Sequence, residues 1–486
     1  MTPTIILVTI LGYFLFLMGI AHFTKGNADN AAFFSGNKNS KWYLVAFGMI
    51  GASLSGVTFL SVPGQVGSNS FAYMQMVIGY LLGYAFIALV LIPMYFKLNL
   101  VSIYQYLETR FGTRAHRTGS AFFLLSRIVG ASFRLFLVAG VLHYFLFAYY
   151  EIPFILTTII TVILIWVYTF QGGIKTIVIT DTLQTSFMIF ALLFAMYYIT
   201  KDADLSFGDL WGVAKLKGYT KAFFFDDFAN SKQHFFKQFF SGALIALVMT
   251  GLDQDMMQKN LTCKNVGEAQ KNIFSMSMLL LPINFLFLCM GAMLFMYAQA
   301  KGVLIPDRAD YLFPEIALNH FPVVVGIVFL LGLIAAAYSS ADSALTSLTT
   351  AFCVDFLGMH KEEKASDKQT RLFVHIAFSI IIVLVVWLFD SLGDDSVIAN
   401  IFKFAGYTYG PLLGLFMFGL FTKKQPSDLW IPLVCLISPV VTYFVSVYSP
   451  EFLGYTFGYE LLLVNGGFTF LGLWSISRQN NEHERR

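Results

Sequence analysis

The run Leu331–Asp355, LGLIAAAYSSADSALTSLTTAFCVD, decides how this chain is read. It lies inside a long apolar segment that begins near Pro322. Its oxygens recur at helical spacing: Ser339, Asp342, Ser343, Thr346, Ser347 and Thr350 fall on one stripe. Lipid cannot satisfy such a stripe, so it must face protein or a water-filled cavity. An aspartate at membrane depth is costly and marks a functional position. The plainer alternative is that the hydroxyls bond back to the preceding turn and the aspartate meets a partner helix.

Composition places the stripe in context. Only 12% of the 486 residues are charged and 57% are hydrophobic, where a soluble domain carries about 25% charged residues. With repeated apolar runs of membrane-spanning length, this predicts an all-α polytopic membrane protein. The four cysteines, Cys263, Cys289, Cys353 and Cys435, are scattered, and no His or Cys spacing suggests a metal site. The isolated histidines, such as His143 and His375, suggest no enzyme chemistry. No signalling domain is apparent, and the net charge of +3 says little about partners. No nucleic-acid partner is expected; the partner is the lipid bilayer. The first stretch lacks a basic start and a cleavage signal, so it reads as a membrane helix.

Thirteen spans are predicted, at about 3–23, 42–66, 71–97, 118–148, 151–170, 174–200, 237–257, 268–298, 322–357, 369–391, 396–421, 427–448 and 458–478. With the N-terminus outside, the inner segments and their flanks hold twenty Lys and Arg, among them Lys97, Arg110, Arg114, Lys259, Lys264 and Lys271. The short outer segments hold only Lys301 and Arg308. That asymmetry predicts an outside N-terminus and a cytoplasmic C-terminus. The segments 358–371 and 479–486 read as solvated charged stretches, and 201–236 as a small helical lid. Arg127, Arg134 and Lys403 fall inside spans.

Two spans carry breaks. Gly51-Ala52-Ser53-Leu54-Ser55-Gly56 interrupts the second, and the seventh ends in Thr250-Gly251-Leu252-Asp253-Gln254-Asp255. Glycine weakens a helix and serine competes for its hydrogen bonds. An unwound turn would free carbonyls suited to a small cation; a small-residue packing face is the other reading. The breaks stand five spans apart, as in transporters built from inverted repeats.

The motifs LSGVTFLSVPG (54–64), GGIKTIVITDTLQ (172–184), LDQDMMQKNLTCKNVGEAQK (252–271), AAAYSSADSALTSLTT (335–350) and YTYGPLLG (407–414) follow in order. Together they resemble the solute:sodium symporter family, which includes sodium–sugar and sialic acid transporters. The resemblance implies a five-plus-five inverted repeat with two broken helices. Residues 1–41 would be an extra helix and inner loop, 42–200 the first repeat, 201–236 an external loop, 237–421 the second repeat, and 422–486 two accessory helices and a tail.

It also implies sites. The main sodium would lie between carbonyls of Gly51 and Leu54, the carbonyl of Ala336, and the hydroxyls of Ser339 and Ser340. A second sodium site, present in some members, would use Asp181 with Ser339, Asp342 and Ser343. Asp342 stands where serine or threonine is expected, so it could hold sodium or a proton. Solute-contact candidates are Ser53, Ser55, Thr58, Tyr73, Gln75, Arg127, Arg134 and Lys403. Arg127 is the first choice for a solute carboxylate and Arg134 the second. The expected activity is uptake of a sugar or acidic sugar by a monomer in the cell membrane, driven by Na+ with no cofactor; a proton-coupled or other organic-anion symporter of the same fold is the alternative.

Overall fold

Apolar length sets the first level of organisation. The structure, a computed structural model, describes residues 1–24, 40–169, 173–359, 367–391 and 397–478. Nine helices among these are long and apolar enough to cross a membrane. They are α1 (Pro3–Thr24), α2 (Trp42–Asn69), α3 (Tyr73–Lys97), α5 (Thr113–Phe145), α7 (Gly173–Ala203), α11 (Val266–Lys301), α12 (Val323–Asp355), α13 (Asp367–Asp390) and α16 (Ile431–Phe452). A short helix α4 (Gln105–Arg110) precedes α5. Two further spans are bent pairs: α9 (Phe235–Gly251) with α10 (Gln254–Asn260) at 67°, and α14 (Val397–Thr408) with α15 (Gly410–Phe421) at 47°. The shorter apolar helices α6 (Phe154–Thr169) and α17 (Leu461–Ser475) complete the order that the sequence predicts.

Among the described residues the strand pairing is confined to two-residue strands, Gln425–Pro426 antiparallel to Ser477–Arg478, and an isolated bridge between Ser40 and Cys263. Two spans of the bundle, α2 and the α9–α10 pair, five apart in the order, are broken helices. The third bend, at Tyr409, was not anticipated as a break. Asn465 supports it by donating to the carbonyls of Gly406 (2.9 Å) and Tyr407 (2.8 Å).

Close packing rests on small residues. A Cβ added at Gly79 of α3 would lie 2.0 Å from the Phe239 carbonyl oxygen, and one at Gly242 of α9 would lie 2.1 Å from that of Met76. The backbones of α3 and α9 therefore touch, as small-residue faces allow in membranes. The polar-stripe helix α12 packs on α7, α5 and α2, and every stripe residue is buried. The segment 201–236 contains α8 (Phe207–Leu216), started by a capping box between Ser206 and Asp209. Residues 25–39, 360–366 and 479–486 lie outside the described residues, and with them the charged stretch expected at 479–486 and the middle of that expected at 358–371; the end of the latter is not solvated, because Asp367 and Arg371 are buried in the first turns of α13.

Candidate functional site

The break in α2 is a single residue. Ser55 has φ 54° and ψ 174°, inside an otherwise continuous helix. A non-glycine residue at positive φ is strained and persists where its surroundings over-determine it. Here the neighbours approach closely. A Cβ on Gly51 would come 2.1 Å from Thr185 Oγ1 of α7, and one on Gly56 would come 2.8 Å from Val138 Cγ2 of α5. The small residues thus seat the break against both helices and leave nearby carbonyls without the regular helical ladder.

The second break is built differently. A π turn over Leu247–Gly251 ends α9, and Asp253 caps α10 by accepting from the Asp255 amide at 2.9 Å. Two carbonyls freed at the break accept from tyrosines: Tyr95 Oη donates to Gly251 (2.8 Å) and Tyr104 Oη to Leu252 (2.9 Å). Tyr409 Oη, from the bend between α14 and α15, donates to Asp253 Oδ2. Gln254 ties α10 to the loop before α4 through Ile103 N and Val101 O, both at 2.9 Å.

Across from these breaks runs the α12 stripe. Ser340 Oγ donates to the Ala336 carbonyl at 3.2 Å, and Ser339 Oγ donates to Asp181 Oδ1 at 2.6 Å. Leu54 and Gly51 of α2 are buried. Asp342 Oδ1 accepts from the Ser343 amide at 2.5 Å, while Ser343 Oγ has no protein partner.

Asp181 has a second neighbour that the sequence reading did not supply. Lys259 Nζ stands 2.7 Å from Asp181 Oδ2 and 3.9 Å from Asp255 Oδ1. The 2.7 Å contact is an ion pair by distance, off the direction of a regular hydrogen bond. Asp255 is held in turn by Arg127, whose other terminal nitrogen lies 3.9 Å from Asp253. Lys259 is 1% exposed and Asp181 0%, so the pair stands inside the protein. Lys259 is therefore misplaced among the basic residues of an inner flank: the bend after Gly251 turns α10 back into the bundle. Asp253, Asp255 and Lys259 were legible only as a motif; their even and i+4 spacings gave no warning that they face α5 and α7.

Beside the α2 break lies a cavity that opens to solvent. Ser53, Ser55, Thr58, Tyr73, Arg127 and Arg134 all line it. Two candidates do not. Gln75 is turned away: it donates to Gln233 O (2.9 Å) and accepts from Phe224 N (3.0 Å), fastening the 201–236 segment. Lys403 is exposed and off the cavity, because Ile401, Phe402 and Ala405 take the buried face of α14. The two arginines differ in their partners. The terminal nitrogens of Arg127 are engaged by Asp255 and Asp253, whereas Arg134 makes no ion pair among the described residues; Nε of both lacks a hydrogen-bond partner.

The sequence profile of the sodium:solute symporter family matches residues 33–428, a range that takes in both breaks and the stripe. The chain belongs to the sodium:solute symporter family. Within that family it is similar to the sodium/sialic acid symporter NanT of Aliivibrio fischeri, 24% identical over 85% of this chain and 81% of the relative. It is also similar to the sodium/sialic acid symporter SiaT of Proteus mirabilis, 25% identical over 84% and 83%. Its fold matches that of a Na+-coupled sialic acid symporter solved in a substrate-bound outward-open state, with a TM-score of 0.80 at 21% identity, covering 98% of this chain and 99% of that one. As a family member this symporter is a multi-pass membrane transporter with Na+ as the coupling ion.

Proposed function

We propose that this symporter takes up a small carboxylate-bearing sugar, of the sialic acid kind, by alternating access, and that Arg134 receives the carboxylate. The observation that carries this reading is Arg134 itself. Its guanidinium lines the cavity beside the Ser53, Ser55 and Thr58 hydroxyls, with Nε unpartnered. A guanidinium offers paired donors matched to a carboxylate, and hydroxyls at the break suit sugar oxygens. The names of the relatives point to the same solute class.

The coupling sodium takes the carbonyls of Gly51, Leu54 and Ala336 with the hydroxyls of Ser339 and Ser340. These are neutral oxygens, which hold a hard monovalent cation without trapping it. The residue ranges 42–200 and 237–421 are the two repeats. The chain acts as a monomer in the cell membrane, N-terminus outside and C-terminus in the cytoplasm, as the basic residues of its short loops favour.

Proteoliposome uptake of sialic acid under an imposed sodium gradient tests the function. Uptake indifferent to sodium but driven by a proton gradient would favour the alternative, in which buried Asp342 carries the coupling ion as a carboxylic acid. For the solute, charge-assisted hydrogen bonds are worth about 1.5–3 kcal/mol each. Loss of about 3 kcal/mol in Arg134→Ala corresponds to a fall of about 100-fold in sialic acid affinity. Unchanged affinity would remove Arg134 from the carboxylate role.

A further inference from the structure

We propose that Lys259 takes the place of a second coupling sodium: its ammonium, tethered to α10, neutralises Asp181, so that one sodium accompanies each solute. This rests on the sodium-coupled reading above and goes beyond it by fixing the ion count and the residue that sets it.

The carboxylate that would hold a second sodium already holds a cation. Lys259 Nζ lies 2.7 Å from Asp181 Oδ2, with Asp255 Oδ1 at 3.9 Å and Asp342 also within its electrostatic reach. An ammonium and a sodium ion carry the same charge and seek the same oxygens. Two such cations at one carboxylate repel strongly where water is excluded. Asp255 alone would compensate Lys259 poorly, because Arg127 already neutralises that carboxylate through its other oxygen. The burial of both partners makes the pair worth keeping only if it stays complete.

The pair also acts on the first sodium site. Ser339 donates its hydroxyl hydrogen to Asp181 Oδ1 at 2.6 Å. That fixes the rotor and leaves the lone pairs of the oxygen free to accept. The line Lys259–Asp181–Ser339 therefore positions one oxygen of the first site, and Lys259 is a positioning residue. Were the ammonium removed, Asp181, Asp342 and the unpartnered Ser343 hydroxyl would remain as a set of oxygens fit for a cation.

The test is a balance of opposing gradients in proteoliposomes, with the membrane potential clamped to zero and sialic acid as the probe. With one sodium per solute, net flux vanishes when the solute ratio equals the sodium ratio. Balance at the square of the sodium ratio means two sodium ions and would overturn the proposal while leaving sodium symport intact. Flux indifferent to sodium would overturn the parent reading itself. In Lys259→Met the expected balance moves to the squared ratio, and the Hill slope of sodium activation rises from near one towards two; a variant that stays at one sodium would show that Lys259 does not stand in for the ion. If that variant does not fold, Asp181→Asn/Lys259→Met, which removes both charges together, carries the test. It is expected to transport more slowly at an unchanged one-sodium balance, whereas loss of sodium dependence would place the coupling ion at Asp181 and overturn the proposal.

Discussion

A methyl group at Gly51 probes the fit between the broken helix and its support. A Cβ there would sit 2.1 Å from Thr185 Oγ1 and 3.2 Å from Thr185 Cβ. The hydroxyl cannot simply swing aside, because it donates to the Asp181 carbonyl at 2.7 Å and a β-branched side chain in a helix has few rotamers. Either that bond breaks, at about 0.5–1.5 kcal/mol, or α2 moves off α7, and overpacking of this kind costs about 1–3 kcal/mol. Replacing glycine by alanine in a helix returns about 1 kcal/mol. The net loss in stability for Gly51→Ala is then about 1 kcal/mol. The displacement falls on the carbonyls assigned to sodium, so sodium affinity drops as well, by about tenfold for each 1.4 kcal/mol of binding free energy lost. Thr185→Ala removes the 2.1 Å contact and leaves those at 3.2 Å to Cβ and 3.5 Å to Cα. In a double-mutant cycle read by sodium-dependent thermal stability, the pair should recover most of the loss, a coupling of about 1 kcal/mol. Additive losses, or a Gly51→Ala protein with unchanged sodium affinity, would refute the reasoning.

Gly79→Leu should abolish folded protein on size-exclusion chromatography, because its neighbour at 2.0 Å is the backbone oxygen of Phe239, while Gly130→Ala, with nothing within 4 Å, should fold normally. Gln75→Leu should loosen the 201–236 segment by about 1–3 kcal/mol, seen as faster hydrogen exchange around Phe224 and Gln233, whose backbone groups it holds. Asn465→Leu strips both donors from the carbonyls of Gly406 and Tyr407; the melting temperature should fall, and solute affinity should change less than in Arg134→Ala.

The spans and both breaks were legible because they are local. Apolar length predicts a helix whatever it packs against, and Gly51–Gly56 announces weak helix without reference to a partner. The stripe on α12 was legible for the same reason: a 3.6-residue period is a property of one segment. What faces the stripe was not. Ser339 and Asp181 are 158 positions apart, and Arg127 and Asp255 are 128 apart; no spacing rule connects them. Lys259 shows the failure most clearly. It reads as a flanking charge, and only the 67° bend between α9 and α10 carries it to Asp181. That Gln75 and Lys403 stand off the cavity was hidden for a related reason. Polar residues in apolar helices signal a partner, but a neighbouring loop satisfies Gln75 and exposure satisfies Lys403.

The Lys259–Asp181 pair has a consequence for the work this transporter can do. A monoanionic solute moving with one sodium carries no net charge, so the membrane potential cannot drive it. Each tenfold sodium ratio then supplies about 1.4 kcal/mol and supports about a tenfold accumulation. A second sodium would add the same amount again, together with about 2.3 kcal/mol per 100 mV for the net charge. On the proposed one-sodium count the tethered ammonium limits accumulation but leaves a single ion to be captured, so uptake should depend on the first power of sodium concentration. Accumulation of sialic acid measured at zero and at 100 mV, inside negative, should be the same within error. A rise of about 50-fold at the imposed potential, the equivalent of one net charge, would mean that a second cation crosses with the solute and that Lys259 gives way to it.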